Sequence, residues 1–149
     1  MKTLCDRGSA AEIKARLALL TPQSQHLWGK MGPAQMLAHC SAALEAPLGD
    51  KVPQQVLIGR LIGWMFKSEF TNDKEFRKNS PTDPSFIINR ECDFDAERAR
   101  LATLIDRFAA ADPATCGQHR HSFFGKLTGA EWGIGTYKHL DHHLRQFGV

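Results

Sequence analysis

The chain has 149 residues, of which 42% are hydrophobic and 23% charged, and its formal net charge is +3. A chain of this length buries enough surface to fold without cross-links, so we expect a single domain over residues 1–149. The composition excludes a largely disordered protein. The basic residues are dispersed and form no continuous basic helix face, so no nucleic-acid partner is expected.

Hydropathy and cysteine spacing narrow the class of protein further. The longest apolar run, Leu61 to Phe66, is too short to cross a bilayer, and the first residues lack the apolar core of a signal peptide. We therefore expect a cytoplasmic protein with no membrane partner. The cysteines are scattered without a Cys-x-x-Cys pair, which predicts free thiols at Cys5, Cys40, Cys92 and Cys116.

The first third of the chain shows two helix starts. Ser9-Ala-Ala-Glu12 has the form of a capping box, and the apolar spacing after it predicts a helix to about Leu20, ended by Thr21-Pro22. Pro33 stands at the tolerated first position of a second helix. The apolar side of this second helix carries Met36, Leu37, Cys40, Ala43, Leu44 and Leu48.

A third helix is predicted over residues 53–67, beginning at Pro53. It is apolar around much of its circumference, so it is either deeply buried or covers a second copy of the chain in a homodimer. Gly59 and Gly63, one turn apart, would let another helix approach closely. The polar segment 69–92 contains Asn79-Ser-Pro-Thr-Asp-Pro84 and is expected to wrap the surface.

Two more helices complete the predicted fold. Asp93 caps a helix with an acidic first turn and a regular apolar stripe, and Asp112-Pro113 ends that helix. Thr128-Gly-Ala-Glu131 is a capping box that opens a last helix to about Phe147. No strand pattern of useful length is present. We therefore expect an all-α fold, most simply an up-and-down four-helix bundle with one long connection and the extra apolar helix.

Two histidines lie on the apolar stripe of the predicted last helix. At about 100° per residue, His139 and His143 fall within roughly 20° of Trp132, so both imidazoles face the core and could reach one ion. His39 lies on the shoulder of the buried side of the second helix and is the candidate third ligand. Three histidine ligands leave one coordination position open for water or substrate, as in catalytic zinc sites.

Alternatives remain at each of these positions. A single histidine on a helix shoulder is more often a partly buried residue bonded to backbone than a metal ligand. The His-x-x-x-His pair lacks the glutamate that follows the first histidine in zinc peptidases, so chemistry of that type is not expected. Side chains that could orient a ligand or a bound water, or simply lie half-exposed, are Gln35, His121, His142 and Gln146.

Several segments together resemble the DinB-like (YfiT-like) superfamily of four-helix metalloproteins, in a branch described only as a domain of unknown function. They are Trp28-Gly-Lys-Met31, Gln35-Met-Leu-Ala-His39, His121-Ser-Phe-Phe-Gly-Lys-Leu-Thr128, Glu131-Trp132 and the stretch from Tyr137 to Phe147. The resemblance covers nearly the whole chain. It implies His39, His139 and His143 as ligands of a divalent ion, zinc or nickel, and a low-molecular-weight thiol as a further cofactor or substrate.

These patterns give two hypotheses for function. The first is an enzyme whose metal activates a thiol cofactor or water for attack on a small-molecule substrate, of thiol transferase or hydrolase type. The alternative is a non-catalytic metal-binding or stress-related bundle that acts as a homodimer through the 53–67 helix. The sequence identifies no catalytic general base.

Overall fold

The computed structural model describes all 149 residues, and most of them are helical. The helices are α1 (Arg7–Leu17), α2 (Pro33–Leu48), α3 (Leu57–Ile62), α4 (Lys67–Thr71), α5 (Phe94–Ala110), α6 (Pro113–Cys116) and α7 (Gly129–Gln146). Two 3-10 turns occupy Gly63–Phe66 and Pro84–Phe86, and a small antiparallel hairpin pairs β1 (Arg120–His121) with β2 (Gly125–Lys126). The predicted all-α class is confirmed. No helix has the length and apolar character needed to cross a membrane.

The four long helices form a bundle around one apolar core. Helix α1 packs against α5 and α7, and α2 packs against the same two helices, so α1 and α2 lie on a diagonal. Among the four long helices, α2 and α5 follow one another in the chain and pack together. Helices α1 and α2 also follow one another, joined by residues 18–32, but they do not lie side by side. The fully buried core side chains include Ile13, Leu37, Leu44, Leu101, Ile105, Phe108 and Leu140.

Local capping explains where these helices start. Pro33 occupies the first turn of α2, Asp93 accepts the backbone N–H of Ala96, and Thr128 and Glu131 form the complete capping box of α7, as predicted. The prediction for α1 was wrong in detail. Asp6, not Ser9, is its N-cap, because the Asp6 carboxylate accepts the Ser9 N–H, and the helix begins one turn earlier and ends at Leu17.

The predicted third helix is broken in the structure. It starts at Leu57 instead of Pro53, tightens into the 3-10 turn at Gly63, and resumes as α4. The backbone of Phe123 approaches Gly59 and Gly63 so closely that a methyl group on either glycine would overlap it. The partner that these glycines admit is therefore a loop, not another helix.

The hairpin and the short helix α6 have no counterpart in the sequence prediction. The hairpin is held against the segment that precedes α3, because Val56 donates its backbone N–H to the Ser122 carbonyl at 2.9 Å. Its turn is closed by His121, whose Nδ1 accepts the N–H of Phe123 at 3.0 Å and that of Phe124 at 3.3 Å. Long-range packing thus stabilises two strands of only two residues each.

Helix α7 accommodates an aromatic ring at a glycine. Phe70 of α4 lies directly over Gly135, where an added methyl group would overlap the ring, and the ring also packs against Trp132 and Phe124. We expect Gly135→Ala to lower the free energy of unfolding by about 1–3 kcal/mol, because steric overlap outweighs the better helix propensity of alanine. Urea denaturation measures this change. Gly32→Ala is the control, since a methyl group there meets no atom within 4 Å.

Candidate metal centre

Helices α2 and α7 bring three histidines together inside the bundle. His39 comes from α2, while His139 and His143 come from successive turns of α7, which packs against α2. His39 and His143 are 4% and 8% exposed, and His139 is partly buried. One ring nitrogen from each histidine lies within 4.8 Å of the other two, and His39 Nε2 is 3.0 Å from His139 Nε2. The three histidines therefore form a group that could hold a metal ion.

Hydrogen bonds on the far side of two rings fix their orientation. His39 Nδ1 lies 2.9 Å from the Phe86 carbonyl oxygen, which can only accept, so Nδ1 carries the proton. His143 Nδ1 lies 2.9 Å from Oε1 of Gln146, and Gln146 donates its amide N–H to the Trp28 carbonyl at 2.7 Å. These partners leave Nε2 of both histidines with a free lone pair for an ion.

Burial keeps these imidazoles neutral. Burial, with smaller contributions from neighbouring histidines, lowers the pKa of His143 to about 3 and that of His139 well below its usual range. Burial also lowers the pKa of His39, although the Phe86 carbonyl acts in the opposite direction. A neutral imidazole is the form that binds a metal, so all three side chains are ready to act as ligands at neutral pH.

The closest pair in the group has nearly the spacing that a small divalent ion requires. Nitrogens that bind one tetrahedral zinc at 2.0–2.1 Å lie about 3.3 Å from each other. The His39–His139 separation of 3.0 Å is close to that value, and in the absence of an ion one imidazole can donate its Nε2–H to the other. The group contains no cysteine and no carboxylate. The donor set is therefore one that zinc, nickel or a similar borderline ion accepts.

The other predicted candidates lie at different distances from the three histidines. Gln146 contacts His143 directly. The ring of His142 packs against Trp28 and lies with its centroid 5.2 Å from that of His143, without a hydrogen bond to any of the three histidines. Gln35 donates to the Ile88 carbonyl, 2.6 Å away, instead of bonding to His39.

His121 belongs to the hairpin and not to the histidine group. Its Nδ1 accepts two backbone N–H groups, and its ring packs among Phe70, Phe124 and Trp132. Burial lowers the pKa of His121 to about 4, against a smaller opposing effect of Asp83, so the ring is neutral. Its observed contacts are those of a residue that shapes the turn.

Sequence reasoning missed two groups that orient the candidate ligands. Both are backbone carbonyls: that of Phe86, at the end of a 3-10 turn, bonds to His39, and that of Trp28, between α1 and α2, bonds to Gln146. A carbonyl group is present at every position, so no side-chain pattern could have identified these two. Trp28 itself packs edge-on against His142, with the Lys78 ammonium 4.4 Å from its ring centroid.

Comparison with known proteins gives one match. Residues 8–148 match a family model described as a protein of unknown function (DUF1569). No curated protein and no solved structure matches the chain significantly. All three histidines lie within the matched region, and the family description assigns them no ligand or activity.

Proposed function

The chain belongs to the DUF1569 family of proteins of unknown function, and we propose that it is a metal-dependent enzyme. In this proposal His39, His139 and His143 bind one divalent ion, zinc or nickel. The observation that carries it is the approach of three imidazoles, one ring nitrogen of each lying within 4.8 Å of the others, while His39 and His143 are held by hydrogen bonds at Nδ1. A buried histidine whose only role is to hydrogen-bond to backbone would not need two other histidines beside it.

The donor set favours a bound group with negative charge. Three neutral ligands leave the charge of a divalent ion uncompensated, because the group holds no carboxylate or thiolate. A divalent ion in such a site lowers the pKa of a bound water or thiol and so supplies a nucleophile near neutral pH. The protein itself would hold His39 in place through the Phe86 carbonyl and His143 through Gln146, and burial would keep the imidazoles unprotonated.

The reaction class rests on resemblance. Similarity to the DinB-like superfamily implies thiol transfer, thiol-dependent isomerisation or hydrolysis on a small molecule. Membership of the chain in that superfamily is part of the proposal. One observation favours the alternative of a non-catalytic metal-binding bundle: no side-chain base is hydrogen-bonded to the three histidines, since His121 bonds within its own turn and His142 only packs against His143 and Trp28.

The experiment that tests the proposal is a metal analysis of protein purified without a metal-affinity tag. We expect one equivalent of zinc or nickel, and we expect removal of the ion by a chelator to lower the melting temperature, because the ion binds only the folded arrangement of α2 and α7. Metal-free protein that takes up no stoichiometric ion on titration would contradict the proposal.

A second measurement separates the enzyme from the non-catalytic alternative. Cobalt-loaded protein should bind a small thiol such as 2-mercaptoethanol at an open coordination position, which appears as a thiolate-to-cobalt charge-transfer band. A tightly bound ion whose visible spectrum is unchanged by thiols and by anions such as azide would favour the non-catalytic bundle.

A further inference from the structure

A large apolar surface surrounds the break between α3 and the 3-10 turn. Six side chains within ten residues are 44–72% exposed, and together we call them the apolar face: Leu57, Ile58, Leu61, Trp64, Met65 and Phe66. Leu61 is 68% exposed and Trp64 is 70% exposed. Isolated exposed apolar side chains are common, but contiguous patches of this kind mark a binding surface.

The apolar face is held outward by the packing of its own backbone. On a helical wheel of α3, Leu57, Ile58 and Leu61 lie within an arc of about 100°. Trp64 and Met65 follow in the 3-10 turn and are exposed as well. Gly59 and Gly63 lie on the opposite side and press against the backbone of Phe123. The segment is therefore attached to the hairpin by its glycine side and displays the apolar face to the surroundings.

Two arginines without an acidic partner lie beside the apolar face. No acidic residue occurs from Lys51 to Ser68 or from Pro113 to Ala130, the two segments that meet here. Arg60, on the shoulder of the apolar arc, lines one cavity with Arg120 of the hairpin. Neither guanidinium group takes part in an ion pair, although most other arginines of the chain do.

We propose that the apolar face docks on an anionic lipid surface. An amphipathic element with Trp, Phe and Leu on one face and basic residues beside it is the pattern that binds in the plane of a membrane interface without crossing it. Trp64 would lie at the level of the headgroups, and Arg60 and Arg120 would contact their negative charges. This inference does not depend on the metal site.

The charge beside the apolar face favours an anionic lipid surface over a second copy of the chain as its binding partner. The homodimer that the sequence predicts would use the same face. A two-fold contact brings identical surfaces together, so Arg60 and Arg120 would face two segments that contain no carboxylate of their own. An anionic lipid surface is complementary in both charge and hydrophobicity.

Co-sedimentation of the full chain with vesicles tests the proposal. We expect binding to vesicles of roughly 3:1 phosphatidylcholine to phosphatidylserine and much weaker binding to phosphatidylcholine alone. Leu61→Glu should weaken binding at least about tenfold, because a charge enters the apolar arc, and Arg60→Gln about fivefold. Leu19→Glu is the matched control, since Leu19 is 65% exposed in the turn that follows α1, and it should leave binding unchanged.

Two readouts decide between the possible outcomes. Tryptophan emission should shift to the blue on vesicle binding, and Trp64→Phe should abolish the shift while retaining binding, because Trp132 is buried and Trp28 packs against His142 and Lys78. The proposal is overturned if anionic vesicles do not bind the chain, or if Leu61→Glu and Leu19→Glu bind equally well. It is also overturned if light scattering shows a dimer that Leu61→Glu dissociates, which would assign the face to a second copy.

Discussion

Replacement of His143 by alanine should abolish stoichiometric binding of a divalent ion. In the proposed site His143 supplies one of three ligating nitrogens, and its loss would leave two imidazoles, which hold an ion far more weakly. Isothermal titration of metal-free protein with zinc or nickel, together with elemental analysis of the purified variant, measures the change. The variant should still fold, because His143→Ala removes a buried polar group and leaves the apolar core intact.

Two substitutions near His143 should weaken metal binding to different extents. Gln146→Ala removes the hydrogen bond that orients His143 and should weaken metal binding by about 10–100-fold. His142→Ala changes the adjacent residue, which bonds to none of the three histidines, and should weaken binding much less. If His143→Ala retained a full equivalent of metal, or if His142→Ala were as damaging, the ligand assignment would be wrong.

Acid should destabilise the metal-free protein well before the carboxylates become protonated. His121 and His143 have folded-state pKa values of about 4 and about 3, whereas an unfolded chain protonates histidine near 6.5. Between these values the unfolded state binds more protons than the folded state, so stability present above about pH 6.5 is lost as the pH falls towards 4. His121 alone accounts for about 3 kcal/mol of this loss.

Urea denaturation of chelator-treated protein across this pH range measures the loss. Asparagine at position 121 can accept the same backbone N–H groups through its Oδ1 but cannot be protonated in this range, so His121→Asn should reduce the dependence on pH. His26→Asn, at an exposed position, is the control and should leave it unchanged. An identical pH dependence in His121→Asn and the unmodified protein would contradict the prediction.

The parts of the fold that depend on local chemistry were predictable from the sequence. Pro33, Asp93 and the Thr128 capping box each start a helix where predicted, because a cap is satisfied by residues within one turn of it. The same reasoning failed at Ser9, since Asp6 offers a competing cap one turn earlier. Local signals find a helix but do not always choose between two adjacent starts.

The structure of the middle of the chain depends on long-range contacts that cannot be recognised in the sequence. Apolar residues around Leu61 predicted a continuous helix, whereas the approach of Phe123 to Gly59 and Gly63 accompanies a break into shorter pieces. The hairpin is bonded to the segment before α3, more than sixty positions away, and its strands are too short for an alternating pattern. Periodicity describes one element at a time and carries no information about such pairings.

The candidate site was also only partly predictable from the sequence. The four-residue spacing of His139 and His143 on an apolar stripe predicted that both face the core. The position of His39 on the shoulder of the second helix, together with the resemblance, made it the candidate third ligand. Helix packing between α2 and α7 brings the three together. Gln146 was one of four candidate orienting residues, and nothing in the spacing distinguished it from Gln35 or His121, because the distinction depends on which loop each side chain meets.

If the three histidines bind an ion, their wide separation along the chain would link the lifetime of the protein to metal supply. His39 and His139 are 100 positions apart, so an ion held by both would join two helices that are far apart in an unfolded chain. A free ion at about a thousand times its dissociation constant would then favour the folded state by about 4 kcal/mol. Proteases act on opened chains, so degradation would be fastest in cells starved of that ion.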